Sequence, residues 1–238
     1  LKHISKVVYL DKVDSTNEYL KRISVEHGLC IVANYQTKGR GRRGKSWISL
    51  KGKGLYLSVL FRKPSSLDSI KLLSLAMGTA VVRVLRSFKE AFYLKWPNDV
   101  CIKGKKICGI LPEVLKDRVI VGIGVNMYHS ESDFSLIDQP TTSLSAEGIS
   151  IDRDEFLGMI LTSVDTYFDR LISGKFNVDE YESLCPLKGK RVVIAKDKGK
   201  SFEGICLGVD MDGCLIVDTG LGIERLISSD VSIRVKDV

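Results

Sequence analysis

The chain has 238 residues, 44% of them hydrophobic and 27% charged, an ordinary balance for a soluble globular protein long enough to bury a core without staples. Lys and Arg outnumber Asp and Glu by 36 to 29, and the resulting charge of +7 suits an anionic partner: a nucleotide, a nucleic acid or an acidic protein. No apolar run reaches the ~18 residues of a membrane span, no signal-peptide-like start is present, and six cysteines without a C-x-x-C pair beside only three histidines argue against structural zinc.

The expected setting is therefore a reducing cytoplasm with buried free thiols. The chain begins at Leu1 rather than Met, which leaves room for a short preceding segment. Val7 to Leu10 predict a first strand. Ser15 followed three residues later by Glu18 predicts a capping box that opens a helix with Tyr19, Leu20 and Ile23 on its apolar side. Cys30 to Tyr35 predict a second strand.

Next comes GRGRRGKS, residues 39 to 46. It satisfies both the P-loop pattern and the G-x-G-x-x-G dinucleotide pattern, each of which needs a helix opening immediately after the glycines. The sequence that follows is SWISLKGKGLYLSVLF: Gly52 and Gly54 would break a helix, and Leu55, Leu57, Val59 and Phe61 alternate with a strand period. Without a helix N-terminus there is no aligned set of amides for a phosphate, so both matches are expected to be false.

Ile70, Leu73, Met77, Val81, Val84 and Phe88 predict a long buried helix from Asp68 to Phe88. Phe92 to Trp96 reads as a strand stopped by Pro97, with Trp96 held extended before the proline. Val100 to Ile102 and Ile107 to Leu111 read as a hairpin turning at Lys103 to Lys106, with Pro112 interrupting or edging the second strand. Arg118 to Val125 is a further strand, after a turn at Lys116 and Asp117, and Tyr128 to Pro140 a polar loop. Asp152 with Glu155 caps a helix whose core face is Phe156, Ile160, Val164, Tyr167, Phe168 and Leu171, and Asp179 to Leu184 form a short one.

Beyond Cys185 and Pro186 the character changes. Five short apolar segments, drawing on residues from Val192 to Val231, are punctuated by Gly199, Asp212, Gly213, Gly220 and Gly222, which predicts a small β-barrel. The boundary is placed so that residues 1–186 form one unit and 187–238 another.

Four stretches could carry chemistry. Lys38, Arg40, Arg42, Arg43 and Lys45 put five cations into eight residues of a glycine-rich loop, suited to wrap an anion, though a solvated basic loop reads equally well from composition. In KWPNDV, residues 95 to 100, Asn98 and Asp99 point polar groups out of a strand end, or simply make a turn. In KKICGILPE, Lys106 enters an apolar strand, where it needs solvent or a charged partner. In GIGVNM, glycines beside Asn126 would let a flat ligand approach the backbone. His3, His27 and His129 form no cluster and read as surface residues. No nucleophile or general base is evident, which fits chemistry that positions two substrates and stabilises charge on phosphate.

Taken together and in this order, DSTN at 14–17, YQTKGRGRRGKSW at 35–47, KWPNDV at 95–100, KICGIL at 106–111 and GIGVNM at 122–127 resemble the biotin protein ligase family. The resemblance runs from about residue 7 to the C-terminus and is looser over the last fifty residues. It implies an α+β fold: a mixed β-sheet with flanking helices, like that of class II aminoacyl-tRNA synthetases and biotin synthetases, followed by a small SH3-like β-barrel. It implies two half-reactions, biotin and ATP giving biotinyl-5′-AMP and pyrophosphate, then transfer of the biotinyl group to one lysine of a biotin carboxyl carrier domain of a biotin-dependent carboxylase such as acetyl-CoA carboxylase.

The resemblance assigns Ser15, Thr16, Asn17 and Gln36 to the biotin pocket, and Arg40, Gly41 and Arg42 to a loop over the biotin tail and phosphate. Lys106 falls at the reacting carboxylate and α-phosphate. Arg42, Asn98, Asp99 and Asn126 fall near the nucleotide. It implies Mg²⁺ with ATP, without naming protein ligands for it, since Mg²⁺ takes few. Ser15 would have to share its oxygen between helix cap and ligand. So few residues precede DSTN that no helix-turn-helix and no specific DNA binding are expected, and a homodimer through the sheet is implied only by analogy. Two other readings stay open: a lipoate or octanoate ligase or transferase of the same fold, and a basic nucleic-acid-binding module, against which weighs the single aromatic, Phe202, in residues 187–238.

Overall fold

A computed structural model of the chain describes every residue except 24–25, 136, 138, 197–200, 228–230 and 236–238, and describes 196 and 231–235 by their backbone alone. Gly199 and the side chain of Val231 therefore lie outside the described residues. The first part is built on a seven-stranded sheet in the order β1-β2-β3-β7-β6-β5-β4, with strands β1 (Lys6–Leu10), β2 (Leu29–Ala33), β3 (Gly54–Arg62), β4 (Tyr93–Lys95), β5 (Asp99–Ile102), β6 (Lys105–Val114) and β7 (Arg118–Asn126). Only β1 and β2 are parallel; the other neighbours run antiparallel, so the sheet is mixed as expected.

The two faces of this sheet have different fates. Leu55, Leu57, Val59 and Phe61 of β3 and Val119, Val121, Ile123 and Val125 of β7 enter one large core. Helices α2 (Leu67–Arg86) and α3 (Arg153–Ile172) cover that face. Each is capped as a helix should be: Ser66 accepts from Asp68 N and Ser69 N, and Asp152 from Asp154 N and Glu155 N. The opposite face carries a small core of Leu20, Leu29, Ile31, Leu60 and Ile120 under α1 (Thr16–Arg22). The remainder of that face is left for polar residues, and the candidate site forms there.

Several expectations need correction. Ser15 is the N-cap of α1, yet its side chain makes no capping bond. The buried N–H of Thr16, which has no partner within the helix, is instead taken by Gln36 Oε1 at 2.8 Å, so a side chain twenty positions away does the work of the cap. The hairpin turn is only Lys103 and Gly104, both at positive φ (49° and 76°), and Lys105 and Lys106 already belong to β6. Of the two readings of Pro112 the edge one holds, because β6 is not interrupted and pairs with β7 as far as Val114. Its other neighbour, β5, pairs only as far as Gly109, so Pro112 lies where β6 has a strand on one side alone. His129 is buried, 2% exposed, stacked on Phe134 with ring centroids 5.3 Å apart. It is removed from water because the polar loop from Tyr128 folds a short 3-10 turn (Glu131–Phe134) that brings Phe134 onto its ring.

After Ser46 there is no helix: the chain runs through isolated bridges into β3, and the only helical turn is a single 3-10 turn at Arg42–Gly44 inside the loop itself. This removes the P-loop and dinucleotide readings. All six cysteines are buried and free.

Helix α4 (Val178–Ser183) leads to strands β8 (Arg191–Lys196), β9 (Ser201–Val209), β10 (Leu215–Asp218), β11 (Ile223–Leu226) and β12 (Val231–Val235), one antiparallel sheet in the order β11-β10-β9-β8-β12. It is joined to the first part by hydrogen bonds and by a shared core. Trp96 Nε1 donates to Gly213 O at 3.0 Å, Glu182 Oε1 accepts from Val209 N at 3.0 Å, and Val192, Ile194, Cys206, Leu215 and Val217 continue the large core. The outer edge of β4 is bonded by Leu184 O, which accepts from Leu94 N at 2.7 Å.

Candidate functional site

The site begins as a set of missing side chains. On β6 and β7 the positions facing away from the large core include Gly109, Gly122 and Gly124, and the hollow they leave opens as a cleft to the surface. Two side chains enter it. Trp47 lies over Gly109 and Gly124: a Cβ at residue 109 would fall 2.8 Å from its ring and one at residue 124 would fall 2.6 Å from Nε1. Asn17 presses on Gly122 so closely that a Cβ there would overlap its amide oxygen. The glycines expected to admit a flat ligand thus first admit Trp47 and Asn17, and those two shape the cleft.

One end of the cleft is lined by neutral polar side chains, with the Glu113 carboxylate accepting from one of them, Asn17 Nδ2, at 2.7 Å. Gln36 Oε1 accepts from Thr16 N and Oγ1, and Gln36 Nε2 donates to Ser49 Oγ at 2.8 Å. Ser58 Oγ lies 2.7 Å from Thr16 Oγ1 and donates to Asn17 Oδ1 at 2.5 Å, while Asn17 Nδ2 donates to Leu111 O at 3.2 Å. Thr16, Asn17 and Ser58 are all buried, so each bond is made away from water and fixes its neighbour's rotamer. Such an end suits a ligand head with amide-like donors and acceptors.

The other end is cationic. The loop from Gly39 is closed on itself, with Trp47 N donating to Gly39 O at 2.9 Å and Gly41 N to Lys45 O at 2.7 Å. It is therefore held in place rather than loose. Arg42 turns inward, and its Nη1 donates to Asn98 Oδ1 at 2.9 Å, while Asn98 Nδ2 donates to Ile110 O. Burial pushes the Arg42 guanidinium below its ordinary value, partly offset by the charge of Asp99. Arg42 Nη2 and Trp47 Nε1 are buried donors without a hydrogen-bond acceptor. Two such donors beside one cleft are the mark of a site shaped for an acceptor-rich group.

Ser15, Thr16, Asn17, Gln36, Arg40, Gly41, Arg42 and Asn98 all line the cleft. Lys106, Asp99 and Asn126 do not. Lys106 Nζ is 2.8 Å from Asp99 Oδ1 and 5.3 Å from the centroid of the Trp47 ring, so it stands behind Trp47 with its charge balanced. Asn126 donates to Thr142 O at 3.0 Å and helps fasten the segment around Thr142, which also bonds the backbone of Lys106 on both sides. Sequence reasoning missed Trp47, Ser49, Ser58 and Glu113 as members of the site. Ser58 was detectable as the one serine inside LYLSVLF, and Glu113 as a carboxylate entering a strand after Pro112.

Known proteins are similar to this chain in sequence and fold. The description "Biotin/lipoate A/B protein ligase family" matches residues 9–126, and "Biotin protein ligase C terminal domain" matches residues 189–234. The bifunctional ligase/repressor BirA of Escherichia coli is 30% identical over 245 aligned residues, covering 96% of this chain and 74% of that protein. The biotin–[acetyl-CoA-carboxylase] ligase of Mycobacterium tuberculosis is 32% identical over 204 residues, covering 81% and 74%. Among solved structures, the Aquifex aeolicus biotin protein ligase in complex with biotin and ATP superposes with a TM-score of 0.83 at 32% identity, covering 98% of this chain and all of that one. The resemblance of the motifs, the cleft they build and these matches over nearly the whole chain agree, and the chain belongs to the biotin protein ligase family.

Proposed function

We propose that the cleft beneath the glycine–arginine loop is where this biotin protein ligase joins biotin to ATP and keeps the product until a carrier lysine arrives. The observation that carries this is the polarity of this cleft: an end of neutral hydrogen-bonding side chains at Thr16, Asn17 and Gln36 runs into a cationic end at Arg40 and Arg42. The neutral end suits the ureido ring of biotin, which has N–H donors and a carbonyl acceptor. The cationic end suits the carboxylate tail and the α-phosphate it attacks.

In the first half-reaction the biotin carboxylate displaces pyrophosphate from the α-phosphorus, forming biotinyl-5′-AMP. Two anionic groups must approach, and their repulsion is what the protein has to offset. Arg42, desolvated and pointing inward, and Arg40 at the rim are the groups we assign to that task, with Lys106 joining when Asp99 shares it with phosphate. Asn98 and Asp99 hold these cations, and Asn126 supports the segment beside Lys106. In the second half-reaction the lysine amine of a carrier domain attacks the mixed anhydride and AMP leaves. The nucleophile comes from the partner, so the chain needs none of its own. Its contribution is to exclude water until then, which is the work of the loop and of Trp47.

Magnesium enters this reading with the triphosphate. Among the described residues no three His, Cys, Asp or Glu converge as a cage, which fits an ion held mainly by phosphate and water. The division at residue 187, with β8 to β12 as a separate C-terminal unit, belongs to the same proposal, as do a biotin carboxyl carrier domain as acceptor and a homodimer through the sheet. Among the described residues no helix is long and apolar enough to cross a membrane.

The test is exchange of labelled pyrophosphate into ATP by the purified chain, with biotin, lipoate and octanoate supplied separately. Exchange with biotin alone is expected. Exchange with lipoate or octanoate instead would move the chain to the sister enzymes of the same fold.

A further inference from the structure

Glu113 is the one carboxylate bonded to the neutral side chains of the cleft among the described residues, and both of its oxygens are in use. Oε1 accepts from Lys21 Nζ at 2.7 Å and Oε2 from Asn17 Nδ2 at 2.7 Å, while Arg40 Nη2 stays 3.7 Å from Oε1. The side chain is only 19% exposed. Burial alone would favour its neutral form, yet the hydrogen bonds from Lys21 and Asn17 and the charges of Lys21 and Arg40 outweigh that and hold it ionised. An ionised carboxylate accepts hydrogens and has none to give.

That property fixes a chain of hydrogen directions. Facing the carboxylate and the Leu111 carbonyl, the Asn17 amide must turn Nδ2 toward both and Oδ1 the other way. Oδ1 then accepts from Ser58 Oγ at 2.5 Å. A hydroxyl has one hydrogen, so Ser58 has none left for Thr16 Oγ1, which lies 2.7 Å away. On the other side, Thr16 N holds Gln36 Oε1 in place, 3.1 Å from the same hydroxyl. The Thr16 hydroxyl thus has an acceptor on both sides. Its hydrogen is committed inside the network, and its lone pairs receive nothing from either neighbour. Thr16 lines the cleft.

We infer that Glu113 is a positioning residue that sets the direction of this relay, through Asn17 and Ser58, so that Thr16 Oγ1 meets the ligand as an acceptor for a ring N–H. The inference rests on the proposed reading of the cleft as a biotin site. A carboxylate is required because two donors, Lys21 and Asn17, need two acceptors on one side chain. A glutamine has one oxygen, and Lys21, the charged donor, takes it. The glutamine amide nitrogen then faces Asn17, which must reverse and set Oδ1 against the Leu111 carbonyl. The reversed amide donates to Ser58 Oγ, and the freed Ser58 hydrogen turns onto Thr16 Oγ1 in competition with the ligand.

The test follows biotin binding to the purified chain by calorimetry. Glu113→Gln is expected to weaken it about fivefold, the scale of one lost hydrogen bond. Lys21→Met alone is expected to leave it near the parental value, since Asn17 keeps its acceptor. The double variant, Glu113→Gln with Lys21→Met, is expected to recover most of the lost affinity, because the glutamine oxygen is then free to face Asn17. Rescue by removing a second contact is a result that a merely structural role for Glu113 does not give. In a Ser58→Ala background, where the relay is cut, Glu113→Gln should weaken binding no further. Parental affinity in folded Glu113→Gln, or a double variant weaker than either single one, would overturn the relay and leave the cleft a biotin site. If Glu113→Gln does not fold, the parental chain decides with two biotin analogues, each with one ring N–H replaced by oxygen. At least one is expected to bind several-fold more weakly than biotin, and undiminished affinity for both would overturn the acceptor at Thr16. A parental chain that binds no biotin would overturn the reading of the cleft and this inference with it.

Discussion

Arg42 and Asn98 are joined by a hydrogen bond of 2.9 Å across 56 positions of sequence. This bond fastens the glycine–arginine loop to the KWPND segment, and Asn98 in turn bonds Ile110 O, so the loop is tied through one amide to the middle of the sheet. Replacing Arg42 by Gly removes both the tie and the desolvated cation. A lost hydrogen bond to a charged group is worth ~1.5–3 kcal/mol, so adenylate is expected to leave the variant about tenfold faster or more. Retention of labelled adenylate on gel filtration, and stray lysine modification of a bystander protein, measure it; a parental adenylate lifetime would refute the assignment.

Gly124 and Gly122 are required by what they face, the Trp47 ring and the Asn17 amide. Gly124→Ala must push Trp47 off its seat and Gly122→Ala must displace Asn17. Overpacking of this kind costs ~1–3 kcal/mol. Each variant is expected to remain folded and to bind biotin at least about fivefold more weakly by calorimetry, since the cleft wall moves with the side chain. Unchanged affinity in both would mean that neither side chain shapes the biotin site.

Lys106 has a balanced charge in this structure because Asp99 is its partner at 2.8 Å. Lys106→Met removes the cation, leaves Asp99 unpaired, and brings a negative carboxylate to bear where phosphate charge develops. Exchange is expected to fall ~100-fold or more, the usual scale for losing an electrostatic donor in a transition state. Lys106→Arg should recover part of it. Equal kcat in the methionine variant would remove Lys106 from the mechanism.

His129 supplies a pH dependence of stability. Burial lowers its pKa from 6.5 to about 4, against the smaller opposing pull of Asp133. Because the folded value is the depressed one, the unfolded chain takes up a proton between pH 6.5 and 4 and the folded chain does not. Stability is therefore undiminished by this residue above about pH 6.5 and falls as pH drops toward 4. Thermal unfolding of the parent and of His129→Gln across this interval should show a shallower slope for the variant. Parallel curves would show that the imidazole is not what titrates.

The site was partly legible because its motifs are local. DSTN, the glycine–arginine loop and KWPND each occupy a few consecutive residues, and Thr16, Asn17, Arg42 and Asn98 all line the cleft. The long helices were legible for the same reason: the caps and the apolar period of Asp152 to Leu171 are written along one stretch, and the helix forms as expected. Ser15 shows where local reasoning stops. Its sequence context is that of a cap, but Gln36 satisfies the helix terminus instead, and only the sheet brings Gln36 there.

What the sequence by itself determined is therefore the set of elements, the absence of a helix after the glycine loop, the motif set of the family, and the burial of six unpaired thiols. These follow from period, capping and composition, which act over a few residues. What only the tertiary structure decided is which distant groups meet: Ser58 with Asn17, Trp47 with the glycines of β6 and β7, Lys106 with Asp99 rather than with the open cleft, and Arg40 with Glu18 and Glu113. Strand order and register fix those pairings, and they depend on how both faces of the sheet are buried at once, a condition that no short stretch of chain contains.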